Sequence, residues 1–200
     1  MAEDRTDGKK TTFSLLRLRN RLFGTVTPLK FRRDEKGATA VEFALISVPF
    51  FMLLMSTFEM ALMLWTSQQM EEAVFQGSRT MLTGDSRTIY ANPATAAAEF
   101  RDALCANMSL IFDCKTRLKV DVQTFASFAS ATSNSAISSG ALNTSAFAFQ
   151  PVTPSSIVVV RAVLSYPLTM STWSSAFANL NNGDRALMAN VAFRTEPFPP

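Results

Sequence analysis

The chain has 200 residues, of which 19 are Lys or Arg, 16 are Asp or Glu and none is His. Without histidine it lacks the commonest general base and metal ligand, and it has no glycine-rich phosphate loop, zinc-type cysteine spacing or serine nucleophile elbow. Asp113, Asp121 and Asp184 are isolated in the sequence, which favours turn or surface positions over a catalytic pair. Composition therefore predicts a protein that is not an enzyme, with no cofactor, no metal and no small-molecule substrate.

The charge is concentrated at the beginning of the chain. Residues 1–37 carry a net charge of +5, whereas residues 38–200 carry a net charge of −2. The basic leader adjoins an apolar segment and lacks interleaved aromatic residues, so the charge predicts membrane orientation and no nucleic-acid binding. Within the leader, Phe13–Phe23 fits either a short basic amphipathic helix on anionic lipid or a solvated tail.

The apolar segment Phe43–Trp65 has the length of a membrane span. Its 23 positions would extend about 34 Å as a helix, and a hydrocarbon core is about 30 Å thick. The helical pattern continues on both sides, which predicts one transmembrane and stalk helix over 38–84 with Pro49 inside it. Because the basic flank precedes the span, we expect a single-pass protein of the bacterial inner membrane, surrounded by membrane lipid, with residues 1–37 cytoplasmic and 85–200 periplasmic.

The exterior part predicts an α+β domain. Asn92 and Pro93 are typical of a helix start, and the apolar face of that helix is predicted to comprise Ala97, Phe100, Leu104, Met108 and Ile111. Strand patterns follow at Leu118–Val122, at Ile157–Leu164 and at Leu187–Phe193. A three- to four-stranded antiparallel sheet with the helix packed on one face would bury all of these apolar side chains.

Three features of the exterior part leave alternatives open. Cys105 and Cys114 either form a disulfide in an oxidising periplasm or are two unrelated small apolar residues. The uncharged segment 122–160 is either a long irregular loop or an apolar surface that docks on neighbouring subunits. Glu59 either lies at the outer membrane interface or pairs with a basic residue of a neighbouring subunit.

The run Lys36–Phe43 resembles a type IV prepilin cleavage site, with a charged leader ending in Gly37 and a glutamate, Glu42, at the fifth position after that glycine. The longer block Asp34–Leu45, together with Pro49, resembles the opening of TadE-like proteins of the tight adherence (Tad/Flp) pilus system. The end of the chain, Phe193–Phe198, is similar to the usual close of that family.

The resemblance implies a minor pseudopilin or pilus assembly protein. A prepilin peptidase would cut between Gly37 and Ala38, and the freed amine of Ala38 would pair with Glu42 of another subunit; otherwise Glu42 is an acidic residue near the aqueous edge of the bilayer. The implied partners are other TadE/TadF-like pseudopilins and the Flp pilin with its Tad export platform. The alternative is a membrane-anchored periplasmic binding or adhesive module unrelated to pili. Only the spacing from Gly37 to Glu42 distinguishes a pilin-like protein from such a module.

Overall fold

The computed structural model describes residues 37–132, 134–169 and 175–198. The chain divides into two compact units, Met1–Phe50 and Phe51–Pro200. Residues 1–36, for which the sequence predicts a cytoplasmic leader and either a basic amphipathic helix or a solvated tail at Phe13–Phe23, lie outside the described residues.

The long helix α1 runs over Ala38–Leu82 and has Pro49 inside it, close to the predicted range of 38–84. Gly84, two residues after the end of the helix, has a φ of 85°, a left-handed conformation that glycine adopts without steric cost. A Cβ atom at this position would also meet the Phe198 ring at 2.7 Å. Both the backbone conformation and the contact with the C-terminal segment therefore require glycine just after the helix ends.

Three shorter helices follow, α2 (Ser86–Ile89), α3 (Ala96–Ala106) and α4 (Cys114–Arg117). The regular helix α3 begins four residues after Asn92, the predicted cap. Asn92 nevertheless makes the hydrogen bonds of a cap to the turn that leads into α3, because its Oδ1 accepts from the Ala94 amide at 3.0 Å and its carbonyl accepts from the Ala96 amide at 2.9 Å. Phe100 and Leu104 are buried as predicted, whereas Ile111 follows the helix and is 77% exposed.

The sheet has three antiparallel strands, β1 (Leu118–Phe125), β4 (Ile157–Tyr166) and β5 (Arg185–Arg194), in the order β1-β4-β5. Each pairing places apolar side chains on one face, as at Val122 opposite Val160 and Val160 opposite Val191. A separate hairpin joins β2 (Ile137–Ser138) to β3 (Ala141–Leu142). The predicted α+β fold with an antiparallel sheet is confirmed.

The main core lies between this sheet and the helices α1 and α3. Its largest fully buried side chains from the helices are Met70, Val74, Met81, Phe100 and Leu104. Side chains of α3 lie close to the backbone of α1 at Gly77, where a Cβ atom would lie 2.7 Å from Leu104 Cδ2 and 3.0 Å from Phe100 Cε2. Glycine at this position lets α3 pack directly against the backbone of α1.

The uncharged segment 122–160 leaves β1, forms an irregular connection with the β2–β3 hairpin, and returns as β4. Part of it covers the second face of the sheet, where Ala136 packs with Val163, Leu180 and Ala186. The segment is thus largely the irregular connection that one of the two interpretations expected, and it also contributes a small core of its own.

Beneath this connection lies a buried ion pair. Arg161 Nη2 is 2.8 Å from Asp121 Oδ2, and both side chains are almost fully buried. The connection completes the pair, because the Asn134 carbonyl accepts a hydrogen bond from Arg161 and the Ala148 amide donates one to Asp121. The interpretation of Asp121 as a turn or surface residue is therefore wrong.

Candidate functional site

The first half of α1 exposes large apolar side chains all around its circumference. In the first unit these are Val41, Phe43, Leu45, Ile46, Val48 and Phe50, which are 51–71% exposed. In the second unit they continue with Phe51, Leu53, Leu54, Met55 and Phe58, at 39–68%. A helical segment that is apolar on every side and exposed within the described part of the chain is typical of a membrane span.

The hydroxyl groups of this segment satisfy their hydrogen bonds within the helix. Ser47 donates to the Ala44 carbonyl at 3.0 Å, Ser56 to the Met52 carbonyl at 2.9 Å, and Thr57 to the Leu54 carbonyl at 2.7 Å. Polar groups bonded in this way need no water, so the hydroxyls are compatible with a hydrocarbon environment.

The predicted cleavage motif lies at the start of this helix. Gly37 immediately precedes the first helical residue, Ala38, and Glu42 follows one turn later; all three are exposed. A Cβ atom at position 37 would meet no atom within 4 Å. Among the described residues, therefore, none requires glycine at position 37 for space.

The covering of α1 by the folded unit begins at Glu59, which is only 2% exposed. Its carboxylate accepts hydrogen bonds from the Thr169 amide, at 3.3 Å, and from the Thr169 hydroxyl. The carboxylate is therefore bound within its own chain, which corrects the interpretation that Glu59 pairs with a basic residue of a neighbouring subunit. The sequence offered no signal for this contact, because Thr169 lies 110 residues away in a segment without a periodic pattern.

Around Glu59 the loop after β4 forms a small apolar cluster against α1. Met63 packs with Tyr166 and Leu168, and the Phe112 ring meets Tyr166 edge-on at 5.6 Å between centroids. Burial, and secondarily the nearby Glu59 carboxylate, raises the pKa of Tyr166 to about 12. The cluster therefore contacts α1 at the point where the helix ceases to be exposed on every side.

The C-terminal segment holds the other end of α1. The Glu196 amide donates to the Leu82 carbonyl at 3.0 Å, and Phe198 lies against Gly84. Thr195 is buried and exchanges hydrogen bonds with Ser156, its amide donating to the Ser156 carbonyl at 2.9 Å. Residues 195–198 thus connect the end of α1 to the beginning of β4.

A disulfide joins Cys105, in α3, to Cys114, the first residue of α4, with the two Cα atoms 5.8 Å apart. It closes the turn between these helices, where Met108 is buried. Over residues 37–132, 134–169 and 175–198, no group of three or more His, Cys, Asp or Glu side chains is arranged to hold a metal ion.

These features define a class of protein in which one helix, long and apolar enough to cross a membrane, leads into a small α+β unit; this is consistent with a membrane anchor. Residues 37–79 match the model of the family described as TadE-like protein. The match confirms the resemblance seen in the opening motif, covers α1 almost to its end, and supports a protein associated with the Tad pilus. That family is not known as enzymatic. Neither a curated protein nor a solved structure shows significant similarity to the chain.

Proposed function

We propose that this protein is a pilus assembly protein or minor pseudopilin of a Tad/Flp-type pilus, and that it acts by packing its helix against other pilin helices in the membrane. The observation that carries the proposal is that the family match begins at Gly37 and runs along a helix whose first half is uncovered and apolar. A helix of this kind offers lipid or other helices its whole circumference.

The proposed membrane span is shorter than the segment 43–65 that composition favours. From Glu59 onward one face of α1 is buried in the folded unit, so this part is not surrounded by lipid. The preceding residues, 38–58, number 21 and would extend about 31 Å, which matches a hydrocarbon core of about 30 Å. With the basic residues before it, this span orients the N-terminal leader 1–37 to the cytoplasm and the α+β domain to the periplasm of a bacterial inner membrane.

The proposed processing step is cleavage between Gly37 and Ala38 by a prepilin peptidase. In its support, the glycine is exposed and is not needed for packing. Cleavage would leave a free amine on Ala38, and Glu42 lies one turn along the same helix face. A carboxylate at the start of a membrane span is costly unless it is paired, so Glu42 would accept the amine of a neighbouring subunit and set the register between the two helices.

The contacts that the second half of α1 makes within the second unit support an assembly role. Glu59 and Gly77 lie on this half and Gly84 follows it, and their contacts hold it in the domain. Lateral packing of residues 51–58, which belong to the same unit, would therefore also position the domain relative to its neighbours, which we propose are other TadE/TadF-like pseudopilins, the Flp pilin and the Tad export platform.

The decisive experiment is the intact mass and N-terminal sequence of the protein purified from membranes, with and without co-expressed prepilin peptidase. We expect a new terminus at Ala38 that depends on the peptidase and is lost in Gly37→Arg. Glu42→Gln is the matched variant: it should still be cleaved but should fail to support pilus formation, which separates processing from assembly.

A chain that begins at Met1 under both conditions would overturn the cleavage step and leave a permanently anchored protein. Deletion of the protein would then decide its role. Loss of surface pili on deletion would support the proposed assembly function. Normal pili would instead favour a membrane-anchored periplasmic binding or adhesive module.

A further inference from the structure

The outer edge of β5 borders a groove beside the stalk helix. One side of β5 pairs with β4, and among the described residues the other side has no strand partner. The groove has a volume of about 570 Å³ and is formed by α1 residues 68–75 and by β5 residues 188–191. An unpaired strand edge next to a groove of this size can accept an extended segment as an additional strand.

The groove combines apolar and acidic character. Phe75 on α1 and Met188 on β5 are 58% and 46% exposed. Beside them, Glu71 and Glu72 are exposed and make no ion pair within the described part of the chain; Glu72 accepts a hydrogen bond from Gln76 at 2.6 Å. A complementary segment would therefore carry apolar side chains together with lysine or arginine.

The edge of β5 lacks the features that usually protect an edge strand. Its residues from 186 to 193 include no charged residue and no proline, although lysine and proline are the common means of preventing edge pairing. The opposite edge of the sheet is better covered, because Val122 of β1 exchanges backbone hydrogen bonds with Ala148 and Gln150 at 2.7 and 2.9 Å, and Lys119 is exposed on the same strand. The β1 edge of the sheet is therefore protected against pairing with another strand, whereas the β5 edge is not.

We propose that this groove binds an extended, basic segment of a partner protein, which adds a strand to β5. In a strand, alternate side chains point to one face, so apolar residues of the partner would contact Phe75 and Met188 while its cations approach Glu71 and Glu72. The basic leader of this chain is on the other side of the membrane in the orientation proposed above, so a separate protein is the fitting occupant. The inference goes beyond the proposed function and does not depend on cleavage at Gly37.

The test uses the full chain in lipid nanodiscs and a fluorescent synthetic peptide with alternating lysine and valine, as long as the 10-residue strand β5. We expect fluorescence anisotropy to show binding at least about tenfold tighter than that of a glutamate–valine peptide of the same length. A lysine–valine peptide N-methylated along one edge should lose binding, because it cannot complete the strand ladder.

Two sets of variants locate the site. Glu71→Lys combined with Glu72→Lys should reverse the preference between the two peptides. Asn190→Arg, which places a positive charge on β5, should weaken the binding of the lysine–valine peptide. Glu99→Lys, an exposed change on α3 away from the groove, is the matched control and should leave binding unchanged.

Equal binding of the N-methylated peptide would overturn strand addition and reduce the interaction to charge attraction at a surface. A preference unaffected by charge reversal at Glu71 and Glu72, or no binding at all, would overturn the proposal. The proposal would also be overturned if the protein associates with itself and the same charge reversal abolishes this association. A second copy of the chain, and not a separate protein, would then occupy the groove.

Discussion

Glu59 and Thr169, separated by 110 residues in the sequence, are joined by two hydrogen bonds, from the Thr169 amide at 3.3 Å and from its hydroxyl. This contact lies where α1 passes from its exposed apolar half into the folded unit. A carboxylate is well suited to this position, because it accepts both donors at once and remains satisfied although it is buried.

Glu59→Ala should destabilise the folded unit. The variant leaves the two Thr169 donors without an acceptor and opens space beside Tyr166, which together cost about 1–3 kcal/mol. The measurement is the denaturant midpoint of the full-length protein in detergent. Glu71→Ala is the control, because Glu71 is exposed and its removal should leave the midpoint unchanged; equal midpoints for the two variants would show that the Glu59 contact does not stabilise the domain.

Gly77→Leu should disrupt the contact of α1 with α3. A Cβ atom alone would lie 2.7 Å from Leu104 Cδ2, and both Leu104 and Phe100 are fully buried, so they have little room to move. Overpacking of this kind costs about 1–3 kcal/mol. The loss should appear as faster proteolysis of the α+β unit, whereas Gln76→Leu, at the exposed neighbouring position, should be cleaved at the rate of the unaltered protein.

Asp121→Ala should be far more damaging than Asp102→Ala, although both remove a carboxylate from an ion pair. Asp121 lies with Arg161 in a buried pair at 2.8 Å, and an uncompensated buried guanidinium costs about 3–5 kcal/mol. Asp102 pairs with Lys115 and Arg101 at the surface, where solvent screens the interaction. Thermal unfolding of both variants would measure the contrast, and similar midpoints would mean that the Asp121 pair is not desolvated.

The tyrosines should titrate abnormally. The chain has two, Tyr90 and Tyr166, and burial raises the pKa of both, that of Tyr166 to about 12. Because the folded-state pKa exceeds the ordinary value of 10.0, the neutral form stabilises the fold below pH 10, and this stabilisation is lost as the pH rises toward 12.

The ultraviolet absorbance of tyrosinate, followed against pH, would measure this effect. Tyr90→Phe isolates Tyr166, which should ionise near pH 10 in denaturant and well above that in the folded protein. A folded-state midpoint at or below pH 10 in Tyr90→Phe would contradict the burial of Tyr166.

Much of the fold was predictable because its elements have strong periodic patterns. The three strands alternate or run as β-branched residues, and the structure places them at Leu118–Phe125, Ile157–Tyr166 and Arg185–Arg194. The start of α3 was misplaced because Asn92 and Pro93 suit a turn as well as a helix start. Whether residues 92–95 form a turn or a helix depends on how Phe100 and Leu104 reach the core.

The candidate site was likewise predictable only in part. The motif from Gly37 to Glu42 and the uncovered apolar helix could be recognised from residue order and composition alone, since they depend on neighbours along one helix. The acidic groove at β5 could not, because it requires Glu71 and Met188, more than a hundred residues apart, to lie at the same edge of the sheet.

By itself, then, the sequence determined the long apolar helix, the uneven charge, the α+β class and the family resemblance, all of which are local patterns of hydrophobicity and charge. Only the tertiary structure decided the partners of three other features. Glu59 is buried and bound by Thr169, Asp121 pairs with Arg161, and the C-terminal segment contacts the end of α1. The physical reason is that a buried polar group is stable only with a partner, and in each of these cases the partner lies at least 40 residues away.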